Sequence, residues 1–368
     1  MTDNHFQNKY VIESTLADRL NLTEEKQIIW RSPANIALVK YWGKYGNQLP
    51  RNASISFTLS SSYTETKVTY KKLENKGLQL DYYFNGEPNQ SFERKLILYL
   101  RNLLPYFPFL DLLHLRVDSH NTFPYGAGIA SSASAISALA LCICDIERQE
   151  FNNTSSDYDF FRKASFIARL GSGSASRSIY GKISLWGQLN NINGSHNEIA
   201  MPINDRVHEV FHSYYDSILV VDSQPKELPS SAGHNLMNYH MYAETRFRQA
   251  SDNVHKLLTA LATGNETVFS QIVENEALTL HALLMSSEPG YILLHPNTLN
   301  ILKILKKFKS ETAANFTFTL DAGPNIHLLY PGSSRELMLP FIENELKPFC
   351  ENNYWIDDQL GKGPSKMK

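Results

Sequence analysis

Cysteine is scarce: the 368-residue chain holds three, Cys142, Cys144 and Cys350. An odd number without CxxC spacing excludes a disulfide framework and a paired thiolate metal site, and a reducing cytoplasm is the expected setting. Charge of one sign is equally missing. Lysine and arginine number 35 against 37 aspartates and glutamates, a net charge of −2, so there is no polycationic surface to grip nucleic acid or an anionic membrane. Residues 1–27 mix charged and polar side chains and lack a continuous apolar run, so they read as a short appended segment, not a signal peptide. Residues 121–144 carry no charge, yet Pro124, Gly126, Gly128 and four serines interrupt them, and the apolar half is too short to span a bilayer. A buried helix is expected there instead. No internal repeat or low-complexity tract is visible.

What remains is an ordinary globular composition, 42% hydrophobic and 20% charged with 16 prolines, enough to bury a sizeable core. At roughly 150 residues per domain, one large domain or two are open. Alternation predicts strands within 54–70, and 78–84 reads as a strand entering an Asn85-Gly86 turn of type I′. Helical spacing covers 92–104, 131–146, 160–170, 242–263, 268–285 and 298–307, while 113–117, 183–189, 216–221 and 316–320 have strand character. A polar stretch near 190–205 marks the expected boundary, giving an extension at 1–27 and domains at 28–215 and 216–368. Strands and helices without strict βαβ alternation predict an α+β chain.

Four segments could carry chemistry. In PYGAGIASSAS (124–134), glycines can expose successive backbone N–H groups before a helix start, which suits a polyphosphate; a turn ahead of a serine-capped core helix explains the same residues. The segment matches neither GxxxxGK[ST] nor GxGxxG. In SPANIALVKYWGK (32–44), an apolar strand would deliver Lys40, Tyr41 and Lys44 to one end, for anionic substrates or as snorkelling strand-end residues. In GSGSASRS (171–178), small residues permit close approach and Arg177 could clamp a carboxylate or phosphate, unless the segment is a solvated loop. In DAGPN (321–325), Asp321 follows an apolar strand and either points into a cleft or caps its own turn. Other clusters read as structural: His234 and His240 lack metal spacing, and Glu274, Glu276 and His281 flank the apolar stripe of a helix as surface and edge residues. Lys303, Lys306, Lys307 and Lys309 form a solvated face, and Cys142 and Cys144 are small core residues.

Taken together, these blocks, with ENEALTLHALLM at 274–285, resemble the diphosphomevalonate decarboxylases of the GHMP kinase superfamily from about Arg31 onward. The resemblance implies an α+β, two-domain GHMP kinase fold, with a ribosomal protein S5 domain 2-like N-terminal domain, a ferredoxin-like C-terminal domain and a cleft between. It also implies a homodimer that decarboxylates mevalonate 5-diphosphate with ATP and Mg2+. By position, Asp321 matches the catalytic aspartate and Lys44 the lysine near it. Arg177, Ser172 and Ser174 match substrate carboxylate and diphosphate contacts, and Asn35 and Tyr41 match further substrate contacts. Ser131, Ser132, Gly126 and Gly128 match the phosphate loop. Metal ligands are not implied. The chain departs from the family at 229–234, where His234 stands for a common methionine and Lys226 is the nearest cation. That departure keeps phosphomevalonate decarboxylase and mevalonate 3-kinase as alternatives, alongside a non-catalytic ligand-binding protein.

Overall fold

The computed structural model describes residues 5–124, 131–224 and 230–368. In chain order the first half runs α1 (His5–Tyr10), β1 (Lys26–Ala37), the hairpin of β2 (Lys44–Tyr45) and β3 (Leu49–Pro50), β4 (Ser54–Lys72), β5 (Gln79–Phe84), β6 (Glu87–Pro88), α2 (Gln90–Asn102), β7 (Leu113–Asn121), α3 (Ser131–Glu150), α4 (Asp157–Gly171), β8 (Ile183–Trp186) and β9 (Ala200–Pro202). The second half runs β10 (Tyr215–Leu219), α5 (Ser230–Leu236), α6 (Ala243–Thr263), α7 (Glu266–Met285), α8 (Pro296–Glu311), β11 (Thr317–Thr319), β12 (Ile326–Tyr330), α9 (Arg335–Phe341), β13 (Trp355–Gln359) and β14 (Ser365–Met367).

The larger sheet has the order β14-β1-β4-β7-β5-β6, with β8 and β9 attached through β4; the second has the order β11-β12-β10-β13. The chain is therefore α+β, as its sequence pattern implies. Residues 54–59 of β4 are all buried, whereas 62–70 alternate between buried and half-buried. The difference follows from what covers each face. Along its length β4 packs on the layer of α3 and α4, where Val68 and Tyr70 join Leu139, Ile143 and Phe166. At its start the opposite face is covered as well, where Ile55, Phe57 and Leu59 meet Leu257, Leu261 and Phe269 of α6 and α7. The other face at the start is polar, and Ser54, Ser56 and Thr58 are buried there through hydrogen bonds to Arg177, Ser184 and the Tyr180 carbonyl, so the sequence still alternates.

Helix α3 is apolar nearly all round and is buried from Ala133 to Glu147 apart from Ala135, with Cys142 and Cys144 in its core. Asn85 and Gly86 both adopt positive φ, 52° and 85°, as a type I′ turn requires. No helix among the described residues is long and apolar enough to cross a membrane. Both ends of the chain pack on the first half: Phe6 and Tyr10 of α1 are buried in the first core, β14 pairs with β1, and Leu360 bridges Leu59.

Candidate active site

β1 carries the first group of site residues. Pro33 cannot donate to the ladder, and the β1–β4 register slips between Pro33 and Asn35. Beyond the slip the Asn35 amide donates to Ser178 Oγ at 2.7 Å and to the Ser174 carbonyl at 3.2 Å. The strand ends at Ala37, so Lys40, Tyr41 and Lys44 lie in the segment beyond it and not on one strand face. Lys40 is buried, and its Nζ donates to Asp321 Oδ1 at 2.9 Å and to the Ala37 carbonyl at 2.7 Å. Burial pushes the Lys40 ammonium pKa down, and the Asp321 carboxylate opposes that fall. Asp321 itself retains 28% exposure, so the pair has one sealed and one open side.

The lysine paired with Asp321 is thus Lys40, and the expectation that Lys44 stands there is corrected. Gly43, at φ 94°, turns the chain into the β2–β3 hairpin, and Lys44 Nζ instead donates to Gln48 Oε1 at 3.1 Å. Lys44 is half-buried, and burial lowers its pKa.

Arg177 lies in the 3₁₀ turn Gly173–Ile179 that follows α4. Its guanidinium is buried, with Nη1 donating to Ser54 Oγ at 2.7 Å and Nε to Asn35 Oδ1 at 3.3 Å. Among the described residues no carboxylate lies within 4 Å of it. Burial lowers its pKa to about 10, with the charge of Asp321 acting against the drop, so it remains a cation at neutral pH. Arg177 and Asp321 therefore share one electrostatic neighbourhood. Ser172 and Ser174 open the same turn with their hydroxyls 3.5 Å apart. Tyr41 packs its ring on Trp186 at 4.7 Å and leaves its hydroxyl buried without a hydrogen-bond partner among the described residues. A Cβ on Gly173 would stand 2.9 Å from that hydroxyl, so the close approach requires glycine here.

His234 is an unanticipated participant. Its ring lies 4.3 Å from that of Tyr41 and 4.9 Å from that of Trp42. Nδ1 accepts the Gly43 N–H at 3.1 Å, and burial lowers the pKa to about 3. The imidazole is therefore neutral and braces the turn ahead of Lys44. Lys226 lies outside the described residues, as do Gly126 and Gly128. Ser131 and Ser132 begin α3 at a pocket that Tyr82, Phe84, Asn89 and Phe92 also line. A helix start beside aromatic walls suits a phosphorylated aromatic ligand, since N–H groups face the anion and rings stack on the base. No cluster of three or more metal-ligating side chains occurs among the described residues.

Glu276 and His281 were expected at the surface, yet both are buried. Helix α7 is covered on more than one side, so side chains flanking its apolar stripe are enclosed too. Glu276 pairs with Arg246 of α6, Oε2 at 2.5 Å from Nη2 and Oε1 at 2.8 Å from Nη1. Glu274 and Lys309 also pair, at 2.6 Å, which takes Lys309 out of the solvated lysine face.

Two family models match in tandem: the diphosphomevalonate decarboxylase-like N-terminal domain over residues 32–198, and the mevalonate 5-diphosphate decarboxylase C-terminal domain over 217–364. A diphosphomevalonate decarboxylase of Eremothecium gossypii is 30% identical over 347 residues, covering 88% of this chain and 82% of the relative. The chain belongs to the diphosphomevalonate decarboxylase family. The crystal structure of the mevalonate diphosphate decarboxylase from Staphylococcus aureus superposes with a TM-score of 0.79 at 28% identity, over 94% of this chain and 99% of that one. MDDEF in complex with MVAPP, AMPPCP and magnesium has the same fold, with a TM-score of 0.78 at 24% identity over 94% of this chain and all of the other. Both domains of this decarboxylase-family chain contribute to the site: Lys40 and Arg177 come from the first matched region and Asp321 from the second.

Proposed function

We propose that this protein converts mevalonate 5-diphosphate, with ATP and Mg2+, to isopentenyl diphosphate, ADP, phosphate and CO2. The observation that carries the reading is the half-open Lys40–Asp321 pair beside Arg177, a buried cation with no carboxylate among the described residues within ion-pair distance. A buried charge without a counterion is costly, so the site is built for an anion that arrives with the substrate.

Phosphoryl transfer to a tertiary alcohol asks chiefly for alignment and charge balance. Asp321 orients the 3-hydroxyl and accepts its proton as oxygen bonds to the γ-phosphorus and ADP leaves. Lys40 keeps that carboxylate ionised and fixed in direction. The C3–O bond then breaks with departure of phosphate, and the electron pair of the carboxylate C–C bond becomes the new double bond as CO2 leaves. Arg177 holds the carboxylate so that the two breaking bonds align. Lys44, Tyr41, Asn35, Ser172 and Ser174 bind the remaining substrate oxygens. Ser131 and Ser132 take the nucleotide phosphates together with Gly126 and Gly128, and the aromatic pocket takes the adenine. Magnesium, when bound, would neutralise charge on the nucleotide phosphates.

The same reading includes domains at 28–215 and 216–368 around the cleft and a cytoplasmic homodimer, which sedimentation tests. The deciding assay supplies ATP, Mg2+ and, in turn, mevalonate, its 5-phosphate and its 5-diphosphate, while ADP and CO2 are followed. ADP and CO2 in equal amounts from the diphosphate are expected. ADP without CO2 indicates a 3-kinase, and preference for the monophosphate assigns the altered 229–234 segment to substrate choice.

A further inference from the structure

The mechanism leaves two buried, hydrogen-bonding side chains of α7 without a task. Glu276 Oε2 accepts the backbone N–H of Lys40 at 2.9 Å, and Arg246, held by that same carboxylate, donates to the Lys40 carbonyl at 3.2 Å. Both backbone polar groups of Lys40 are thus fixed by the second domain's helices. Five residues further along α7, His281 Nε2 lies 3.1 Å from the backbone carbonyl of Asp321. A carbonyl only accepts, so this nitrogen carries the proton. One rigid helix therefore grips both members of the Lys40–Asp321 pair, one at its amide and the other at its carbonyl, although the two lie 281 positions apart.

We infer that Glu276 and His281 are positioning residues and that α7 sets the placement of the Asp321 carboxylate against Lys40 and the reacting hydroxyl. Neither side chain touches substrate; each acts through the backbone of a residue that does. The geometry separates this role from mere packing. A helix that only filled the core would need no donor aimed at the Asp321 carbonyl, and Leu280 and Leu284 already supply its apolar contacts. Glu276 has a second duty, since Asn253 donates to its Oε1 at 2.6 Å and Arg246 depends on it for charge, so its loss also disturbs folding. His281 makes the cleaner probe.

The inference rests on the catalytic reading of Asp321, and the experiment keeps the two apart. His281→Gln, whose amide reaches as far as Nε2, His281→Asn, which is too short, and His281→Leu are compared in the full-length protein. With misplacement of a reacting group worth up to about 100-fold, His281→Asn and His281→Leu are expected to lower kcat roughly 10- to 100-fold. Substrate KM, nucleotide Kd and thermal midpoint should stay near the parent's. His281→Gln should recover kcat to within about threefold. Equal kcat in the Gln, Asn and Leu variants, or losses that fall on KM or the midpoint alone, overturns the positioning role. Asp321→Asn is measured beside them: unchanged turnover there overturns the catalytic reading, and the positioning role with it.

Discussion

Replacing Lys40 by methionine keeps the length and apolar stem of the side chain and deletes the ammonium. Two contacts are lost, a bond of 2.7 Å to the Ala37 carbonyl and the charge-assisted bond of 2.9 Å to Asp321 Oδ1 that bears on the reaction. A hydrogen bond to a charged group contributes roughly 1.5–3 kcal/mol. At about 1.4 kcal/mol per tenfold in rate, that corresponds to roughly 10- to 150-fold in kcat. A carboxylate freed to swing away from its hydroxyl adds to the loss, so at least about 100-fold in kcat is expected. Stability should suffer much less. Removing one member of a sealed ion pair costs about 3–5 kcal/mol, but Asp321, the member left behind, is 28% exposed and can be hydrated, so the cost should be about 2 kcal/mol or less. The variant should remain folded and assayable. Lys44→Met deletes one bond to a neutral amide, worth about 1 kcal/mol, and should shift kcat by less than about fivefold while raising the KM for the anionic substrate. Steady-state release of ADP, with circular dichroism as the folding control, gives both numbers. If Lys44→Met loses as much kcat as Lys40→Met while both are folded, the assignment of the aspartate's partner is wrong.

Arg177→Ala should lower kcat/KM for the substrate at least about 100-fold while nucleotide binding by fluorescence titration stays within about twofold; an unaffected kcat/KM rules out the carboxylate clamp. His234 has a pKa of about 3 in the folded chain against an ordinary 6.5. The unfolded chain takes up a proton that the folded one refuses, so the stability linked to this group is full above pH 6.5 and falls by about 1.4 kcal/mol per pH unit below it. Urea midpoints at pH 7.5 and 5.5 should therefore differ by about 1.4 kcal/mol less in His234→Met than in the parent; identical differences would falsify the buried neutral imidazole. Deleting residues 1–24 removes buried Phe6 and Tyr10 and the two N–H groups, of Phe6 and Gln7, that bind buried Glu198. Burial of two such rings is worth about 3–5 kcal/mol, so an unshifted denaturation midpoint would show α1 to be dispensable.

Legibility in the sequence tracked how local each determinant was. Helix α3 could be read because its residues are apolar all round, and the Asn85-Gly86 turn because positive φ selects those side chains. Asp321 stood out by following an apolar strand and preceding a Gly-Pro turn. The choice between Lys40 and Lys44 was not local. Both follow the same apolar run, and what separates them is the end of β1 at Ala37 and the left-handed Gly43, after which Lys44 is carried into a hairpin. Glu276, His281 and Arg246 were missed for a related reason. A helical stripe identifies one covered face, whereas α7 is covered by α6 on one side and by β11 and the Asp321 segment on the other. For His234 the sequence showed only a departure from the family pattern; the stacking on Tyr41 and Trp42 that makes an imidazole fit there is a tertiary property.

The charge arrangement of the site links stability to ligand. Around the cleft stand Lys40, Lys44 and Arg177, and of these only Lys40 has a carboxylate among the described residues within ion-pair distance. A chain of net charge −2 thus gathers three cations at one place, and low-dielectric walls focus their field on an incoming polyanion. Among the described residues the Arg177 guanidinium donates to the hydroxyl of Ser54 and the Asn35 carbonyl oxygen, two neutral acceptors that offset its desolvation in part. On the proposed reading that penalty is relieved when the substrate carboxylate arrives, so the interaction that would orient the breaking C–C bond would also return stability to the folded chain. Binding to the native state stabilises it as RT ln(1 + [L]/Kd), about 2.7 kcal/mol at one hundred times Kd. On the proposed reading, the cation that is costly to bury is therefore the one that selects a substrate bearing a carboxylate beside its alcohol.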